Sequence, residues 1–571
     1  MIVKMTRYDF ILLSAGKDDF IDRLSGLGLV DITRSAKPVD ARSRELLSGI
    51  ENINGRIRTI ESGTDEHLSA LREEGAKLIK QRDALIHWGD YDRMKLEALG
   101  VPVGFYCVPE KKFDASWPEN YALQEIDRAH GKVWFVVLGG EGFPATPLPA
   151  PELSLGEIEA LVKENEAAVE AYEKELDDKR ELIPGLRSQA DSLRAELNMY
   201  LAGVAGESAA DNALTVFEGF APSADKERLE KAFDELGCVW LSADATLEDN
   251  PPIKLKNNWF VRMFEPLTDM YGRPDYNEFD PTPYISVFFL LFFAMCMGDA
   301  GYGLLLVIAG LLLRKVDSFR SLAPLVTTLG VGTFLVGIVM HTFFGVDISA
   351  LPWIPSWLKA VMITGTIAGF EAQMVLSLVI GVIHLCLAMV VKTVYATRNR
   401  GFLGSLGVWG WTLLIVGGVV VGTLAIFSLL PPDVTKWIII GLGIVSALGI
   451  FLFNDINRSP LKNIGSGLWE TYNTVTGLLG DVLSYLRLYA LGLAGGMLGK
   501  AFNDIASMTL GDGSIGPGWL FFALILVVGH ALNLAMCCLG AFVHPLRLNF
   551  LEFFKNSGYD GKGRAYQPLQ K

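Results

Sequence analysis

A chain of 571 residues is too long for one compact domain, and half of it is hydrophobic although the formal net charge is −14. A single water-soluble globule does not carry that much apolar sequence, and the acidic balance excludes a nucleic-acid partner. The charges divide the chain: they are dense from Met1 to about Asn257, whereas only eight charged side chains occur between Ser321 and Phe453. A soluble domain over 1–265 and a lipid-embedded domain over 266–571 are therefore expected.

The opening MIVKMTRYDF lacks the apolar core and cleavage site of a signal peptide, so the soluble part is expected in the cytoplasm. Strand–helix–strand patterns occur in VKMTRYDFILLS, DDFIDRLSGLG and LVDITR, and again in ALTVFEGFAP, DKERLEKAFDELG and CVWLSA. Between them, residues from about Pro38 to Leu99 and from about Leu153 to Ala205 are charged and rich in helix formers. Ile158, Leu161, Ala168, Tyr172 and Leu176 recur near three- and four-residue spacing, which predicts a helical stripe, and Pro184 is expected to kink or split it. Two arms of similar length predict an antiparallel coiled-coil rod with two small α/β globules at its ends. The six cysteines show neither zinc spacing nor a disulfide framework, so no metal is expected. No G-x-x-x-x-G-K-[ST] phosphate loop occurs; AGGMLGKA at 494–501 lacks the first glycine and the final hydroxyl. The chain is expected to hold no nucleotide or other cofactor and not to hydrolyse ATP itself.

Apolar segments follow at roughly 284–298, 301–313, 322–343, 373–391, 405–430, 437–453, 469–509 and 518–554. The break Gly298-Asp299-Ala300-Gly301 is too polar and glycine-rich for mid-membrane helix, so the first two segments read as a tight hairpin, with Asp299 as a helix cap. Eight crossings then place Arg314, Lys315, Arg320, Lys392, Arg398, Arg400, Arg458, Lys462, Lys555, Lys562 and Arg564 inside. Lys359 and Lys436 fall outside, and Lys500 lies deep in the seventh segment. Reading 284–313 as one span reverses that asymmetry. The fold expected is mainly α: eight transmembrane helices, the last two long and tilted, behind a cytoplasmic α+β domain.

Arg487 and Arg547 lie inside the last two segments, and a charge at mid-bilayer costs about 3 kcal/mol on insertion scales unless water or a partner meets it. Arg547 is near the cytoplasmic end, where snorkelling or a pair with Glu552 would satisfy it. No carboxylate on the sixth or eighth segment is an obvious mate for Arg487, since Asp455 and Glu552 sit near the cytoplasmic ends, and Asp481 is off its helical face. A partner on another chain is the economical reading. His530, Asn533, Cys537, Gly540, His544 and Arg547 follow at steps of three and four and form one polar-to-small stripe, while Gly480, Ser484 and Arg487 share a face. Such a stripe suits either a hydrated path beside a partner helix or a packed polar seam. Pro545 removes a backbone bond to Ala541 and predicts a local kink, and His384 reads as a hydrogen-bonded packing residue.

The strings NEFDPTPYISVFFLLFFAMCMGDAGYGLLL (277–306), QMVLSLVIGVIHL (373–385), GLWETYNTVTGLLGDVLSYLRLYALGLA (467–494) and AFVHPLRLNFLEFF (541–554) resemble subunit I, or subunit a, of V-type and A-type rotary ATPases. The resemblance implies a stator facing a rotating proteolipid ring of carboxylate-bearing subunits, with peripheral stalks held by the cytoplasmic half. It maps the essential arginine onto Arg487 and the second arginine onto Arg547; the helical faces read above add Ser484, His544, His530 and Asn533 as candidates along the ion path. It further implies H⁺ or Na⁺ translocation through two half-channels, coupled to ATP chemistry in other subunits. Eukaryotic relatives carry a histidine and a glutamate where this chain has Gly495 and Cys537, so those relay roles do not carry over. The shorter length favours a prokaryotic plasma membrane with both termini inside. The alternative, a secondary transporter with a regulatory coiled coil, predicts an internal repeat that the sequence does not display. A purely structural membrane anchor is the other competitor.

Overall fold

The computed structural model describes residues 1–34, 37, 39–63, 66–90, 93–98, 100–114, 116–139, 143–149, 153–316, 319–352, 354–367, 369–453, 460–510 and 517–570. Asp455 and Arg458, and Pro38 at the start of the first arm, lie outside them. Two compact units emerge: Leu13–Gly28 with Thr33–Thr215 and Leu569–Lys571, and Met1–Leu12 with Leu29–Ile32 and Val216–Pro568.

The first unit is built on four helices, α1 (Ala41–Ser62), α2 (Glu66–Leu85), α3 (Leu155–Asp178) and α4 (Ile183–Val204). Asp40 and Ser154 start α1 and α3 with capping boxes, each accepting from the backbone N–H three residues on. Between α3 and α4 the chain tightens into a 3₁₀ turn at Lys179–Leu182, and Pro184 sits in the first turn of α4, where its missing N–H costs nothing. The expected split is therefore present. The arms run antiparallel: Arg42 meets Glu196, Arg187 meets Glu61 and Arg72 meets Glu173 along their length. Ile53, Ile57 and Ile60 bury against Leu186 and Ala190 at helical spacing. A three-stranded antiparallel sheet follows α2, with Lys132–Leu138 between Val103–Pro109 and Leu123–Ala129.

In the second unit, β1 (Met5–Leu13), β2 (Asp31–Ile32), β3 (Leu214–Pro222) and β4 (Val239–Asp244) lie in one sheet, in the order β2-β3-β1-β4. The strands of both strand–helix–strand patterns thus enter a single sheet, not one sheet in each of two globules. Short strand pairs are marginal alone, and together they share one apolar face. Tyr8 and Phe10 alternate inward on β1, and Phe233 of α5 (Lys226–Asp234) meets their rings edge-on at 5.1 and 5.0 Å. Each such burial stabilises by about 1.5–3 kcal/mol.

Eight apolar helices or helix pairs follow at the eight predicted segments. Those at Ala372–Gly404, Leu406–Ile426, Pro432–Phe451, Leu461–Met508 and Gly518–Ser557 are long and apolar enough to cross a membrane, so the chain is a membrane protein. The first three, α6 (Thr282–Met297), α7 (Ala300–Leu313) and α8 (Ala323–Val339), are shorter. Gly298 closes α6 in the left-handed region at φ 58°, and Asp299 caps α7, giving the expected break between the first two segments. Both α6 and α7 pack on α8 and scarcely on one another, so they do not form the tight hairpin expected. Gly303 and Gly310 of α7 face Gly330 and Gly337 of α8, and a Cβ at any of these would collide with the backbone of the opposite helix.

The next helices are α9 (Ala372–Gly404), α10 (Leu406–Ile426) and α11 (Pro432–Phe451). The seventh segment is one long helical span, α12 (Pro460–Ser484) followed by α13 (Leu486–Met508), with a single irregular turn at Tyr485, whose φ of −74° and ψ of −17° stay in the helical region. The eighth, α14 (Pro517–Arg547), continues past Pro545 into a π-helical stretch at Leu548–Phe553. The ladder widens where proline withdraws its N–H, and Asn549 Nδ2 donates to the carbonyl of Pro545 at 2.9 Å. After the last turn, residues 559–567 fold back on the segment that joins sheet to helices. There Ile253 N–H donates to Arg564 O at 2.6 Å, and Tyr566 N–H to Ile253 O at 3.1 Å.

Candidate functional site

The turn between α12 and α13 is set by packing from a distant helix. Tyr485 is fully buried, its ring lies against Gly381 of α9 where a Cβ would collide with it, and its hydroxyl meets His384 Nδ1 at 2.9 Å. His384 is thus a packed, hydrogen-bonded residue, as expected. This anchor fixes the position from which Arg487 projects two residues later.

Arg487 is half-buried, and its Nη1 is wholly shielded yet has no hydrogen-bond partner among the described residues. Among those residues no carboxylate lies within ion-pair distance of it. His544 of α14 is close enough to interact electrostatically with both Arg487 and Arg547, and its Nδ1 is likewise buried and unbonded. Arg547 itself is exposed. Below this cluster, the buried carboxyl of Glu552 lies within electrostatic reach of Arg547 and Asp481 and within hydrogen-bonding reach of Ser484. Ser484 Oγ donates to Gly480 O at 3.0 Å.

The structure therefore brings Arg487, Arg547, His544 and Ser484 into one neighbourhood. His530 and Asn533 belong to another. Tyr302 Oη meets His530 Nδ1 at 2.8 Å, Asn533 Nδ2 donates to Tyr302 Oη at 2.8 Å and to Gly495 O at 2.9 Å, and His530 Nε2 meets Asn503 at 2.9 Å. Asn533 is about 16 Å of helix rise from His544. The polar stripe on α14 thus has a half that is hydrogen-bonded inside the chain and a half in which His544 Nδ1 is buried without a bond among the described residues. Tyr302 was not singled out from the sequence, although its place between Gly301 and Gly303 is the signal of a close-packed site.

Two cavities flank Arg487 along the chain. One, of about 260 Å³, is lined by Glu470, Asn473, Asp481, Lys392 and Lys555 on the α12 side. The other, of about 510 Å³, is lined by Leu488, Tyr489, Gly496 and Lys500 of α13 together with His341 and Glu371. Arg487 lies between the α12 and α13 residues that line them. Among the described residues no cluster of His, Cys, Asp and Glu is suited to a metal ion.

Comparison with known proteins follows the same lines. The model of the V-type ATPase 116kDa subunit family matches residues 161–320. The A-type ATP synthase subunit I of Methanocaldococcus jannaschii is 30% identical over 547 aligned positions, covering 88% of this chain and 74% of that protein. The chain belongs to the subunit I family of A-type and V-type ATP synthases. Other family members show the same extent of similarity. That of Pyrococcus abyssi is 28% identical, covering 92% of this chain and 77% of its own length. The V-type ATP synthase subunit I of Borreliella burgdorferi is 25% identical and covers both chains completely. Family membership implies association with the other subunits of a rotary ATPase.

Proposed function

We propose that this chain is the ion-conducting membrane stator of a rotary ATPase, in which Arg487 faces carboxylates carried past it on a rotating proteolipid ring. The supporting observation is a buried guanidinium nitrogen without a hydrogen-bond partner among the described residues, on a stretch of chain between the residues that line two separate cavities. A guanidinium stays charged in proteins, so a passing carboxylate is held ionised and must have given up its H⁺ or Na⁺. The cavities act as half-channels to opposite sides, and the arginine blocks a direct leak between them. Arg547 and His544 extend the positive patch, Ser484 offers a hydroxyl at its edge, and His530 with Asn533 line the opposite end of the path. Residues 266–571 form the translocating domain with eight crossings, the first three through short helices, and 1–265 anchors peripheral stalks through a coiled-coil rod. Both termini lie on the cytoplasmic side of a prokaryotic plasma membrane, as the basic loops require. ATP hydrolysis or synthesis takes place on other subunits.

At a separation of about 4 Å and an effective dielectric of about 20, the arginine–carboxylate attraction is about 4 kcal/mol, or about three pK units. Arg487→Ala in the assembled complex is expected to abolish ATP-driven ion uptake while subunit content is retained. Normal pumping by that variant refutes the proposal. The competing reading, transport by this chain alone, predicts uptake by the purified subunit without its partners.

A further inference from the structure

We propose that Glu371 is the outward-side cation-exchanging carboxylate of this chain, held at the cavity beside Arg487 by Tyr489; this rests on the stator reading above. The cavity of about 510 Å³ is bounded by α13 and by the segments before and after the apolar helices α8 and α9. Its acidic lining residues are Asp347 and Glu371. Asp347 is occupied: its Oδ1 accepts from Ser349 N–H at 2.8 Å and Ser349 Oγ at 2.6 Å, and it lies 3.2 Å from His341 Nδ1.

Glu371 behaves differently. It stands at the N-cap position of α9 and makes no capping bond there. Its carboxylate instead crosses to α13 and accepts from Tyr489 Oη at 2.6 Å. The contact spans 118 residues of sequence and ties an exposed carboxylate to the helix turn that carries Arg487. Lys500, the charged side chain that α13 contributes to the cavity lining, lies about 16 Å from Tyr489 along the helix by its rise per residue. Among the described residues no cationic side chain pairs with Glu371, whose carboxylate is met by the neutral Tyr489 hydroxyl, and a small cation is drawn to it. The carboxylate takes up a proton or a sodium ion from one side and releases the same ion to the other, returning to the free anion. No covalent bond to carbon changes.

The test uses the intact rotary complex in native membranes, with ATP-driven uptake read by a pH-sensitive dye in sodium-free buffer and by radioactive sodium. Glu371→Gln is expected to lower coupled transport about tenfold or more with subunit content unchanged, and Glu371→Asp to retain most of it. Glu371→Cys, labelled on intact cells with membrane-impermeant thiosulfonates before the membranes are inverted, is expected to recover with the sulfonate reagent and not with the trimethylammonium one. The parent chain, with its native cysteines, is the control. If Glu371→Gln pumps at the parent rate while Arg487→Ala is inactive, Glu371 is off the path and the stator reading stands. Parent rates in both variants overturn both. Should Glu371→Gln reduce assembly, the labelled cysteine variant decides, and equal effects of the two reagents overturn the proposal.

Discussion

Asp299 separates a structural carboxylate from a transporting one at the level of single atoms. It is almost fully buried, and its Oδ1 accepts from the backbone N–H groups of Gly301, Tyr302 and Phe344 at 2.8, 3.2 and 2.8 Å, while Oδ2 accepts from Gly345 at 2.7 Å. Removing an acceptor from a buried donor costs about 1–3 kcal/mol. Asp299→Ala strands all four donors, so a loss of roughly 4–12 kcal/mol is expected, comparable to a whole domain's stability. Asp299→Asn keeps a carbonyl at the Oδ1 position and loses only the bond to Gly345, so about 1–3 kcal/mol is expected. The effect should reach the site, because Gly345 packs directly on the backbone of Gly499 and Lys500 in α13. The assay is thermal denaturation of the detergent-solubilised complex, with hydrogen exchange at Gly345 as the local readout and ATP-driven uptake as the functional one. Asp299→Asn is expected to pump, and Asp299→Ala to fail to assemble. Equal stability of the two variants, or a fully assembled Asp299→Asn that cannot pump, refutes the reasoning.

The close approach of α7 and α8 is open to the same treatment. A Cβ at Gly330 would fall 2.7 Å from Val307 N and 3.0 Å from Gly303 O. Gly330→Val is therefore expected to destabilise the helix pair by about 1–3 kcal/mol in thermal melts, and an unchanged melting temperature counts against the packing described. The α1 arm makes a pH prediction. The Asp40 carboxyl, held by Tyr200 and by the Ser43 backbone and hydroxyl, titrates below its ordinary value of 3.8. Its stabilising effect is present above the unfolded value and lost as the pH falls through the lower folded value, so protection of the Ser43 amide should fade only in strong acid. Asp40→Asn should flatten that profile. The Tyr200 hydroxyl, raised by the same hydrogen bond to Asp40, has the opposite sign, with its share lost as the pH rises above about 10. Protection that is insensitive to acid in the parent chain rules this account out.

What the sequence determined by itself is what depends on near neighbours. Hydropathy located the apolar spans seen among the described residues, because lipid compatibility is a property of about 20 consecutive residues. The break at Gly298 and Asp299 and the split at Pro184 were legible because left-handed turns, caps and a missing N–H are local chemistry. Three- and four-residue spacing placed His530 through Arg547 on one face of α14 for the same reason. What lies opposite a residue was not legible. The two strand–helix–strand patterns read as separate globules, yet pairing between β2 and β3 joins chain segments nearly 190 residues apart. The irregular turn at Tyr485 in the seventh segment was not legible, because the residues that pack on it, Gly381 and His384, lie about a hundred residues upstream. The stripe on α14 has one satisfied half because Tyr302 and Asn503 reach it, and Glu371 is engaged because Tyr489 is there to meet it. Only the tertiary structure decided which polar groups are hydrogen-bonded and which, such as Nη1 of Arg487, are buried without a bond among the described residues, because burial and hydrogen bonding are set by residues distant in sequence that folding brings into contact.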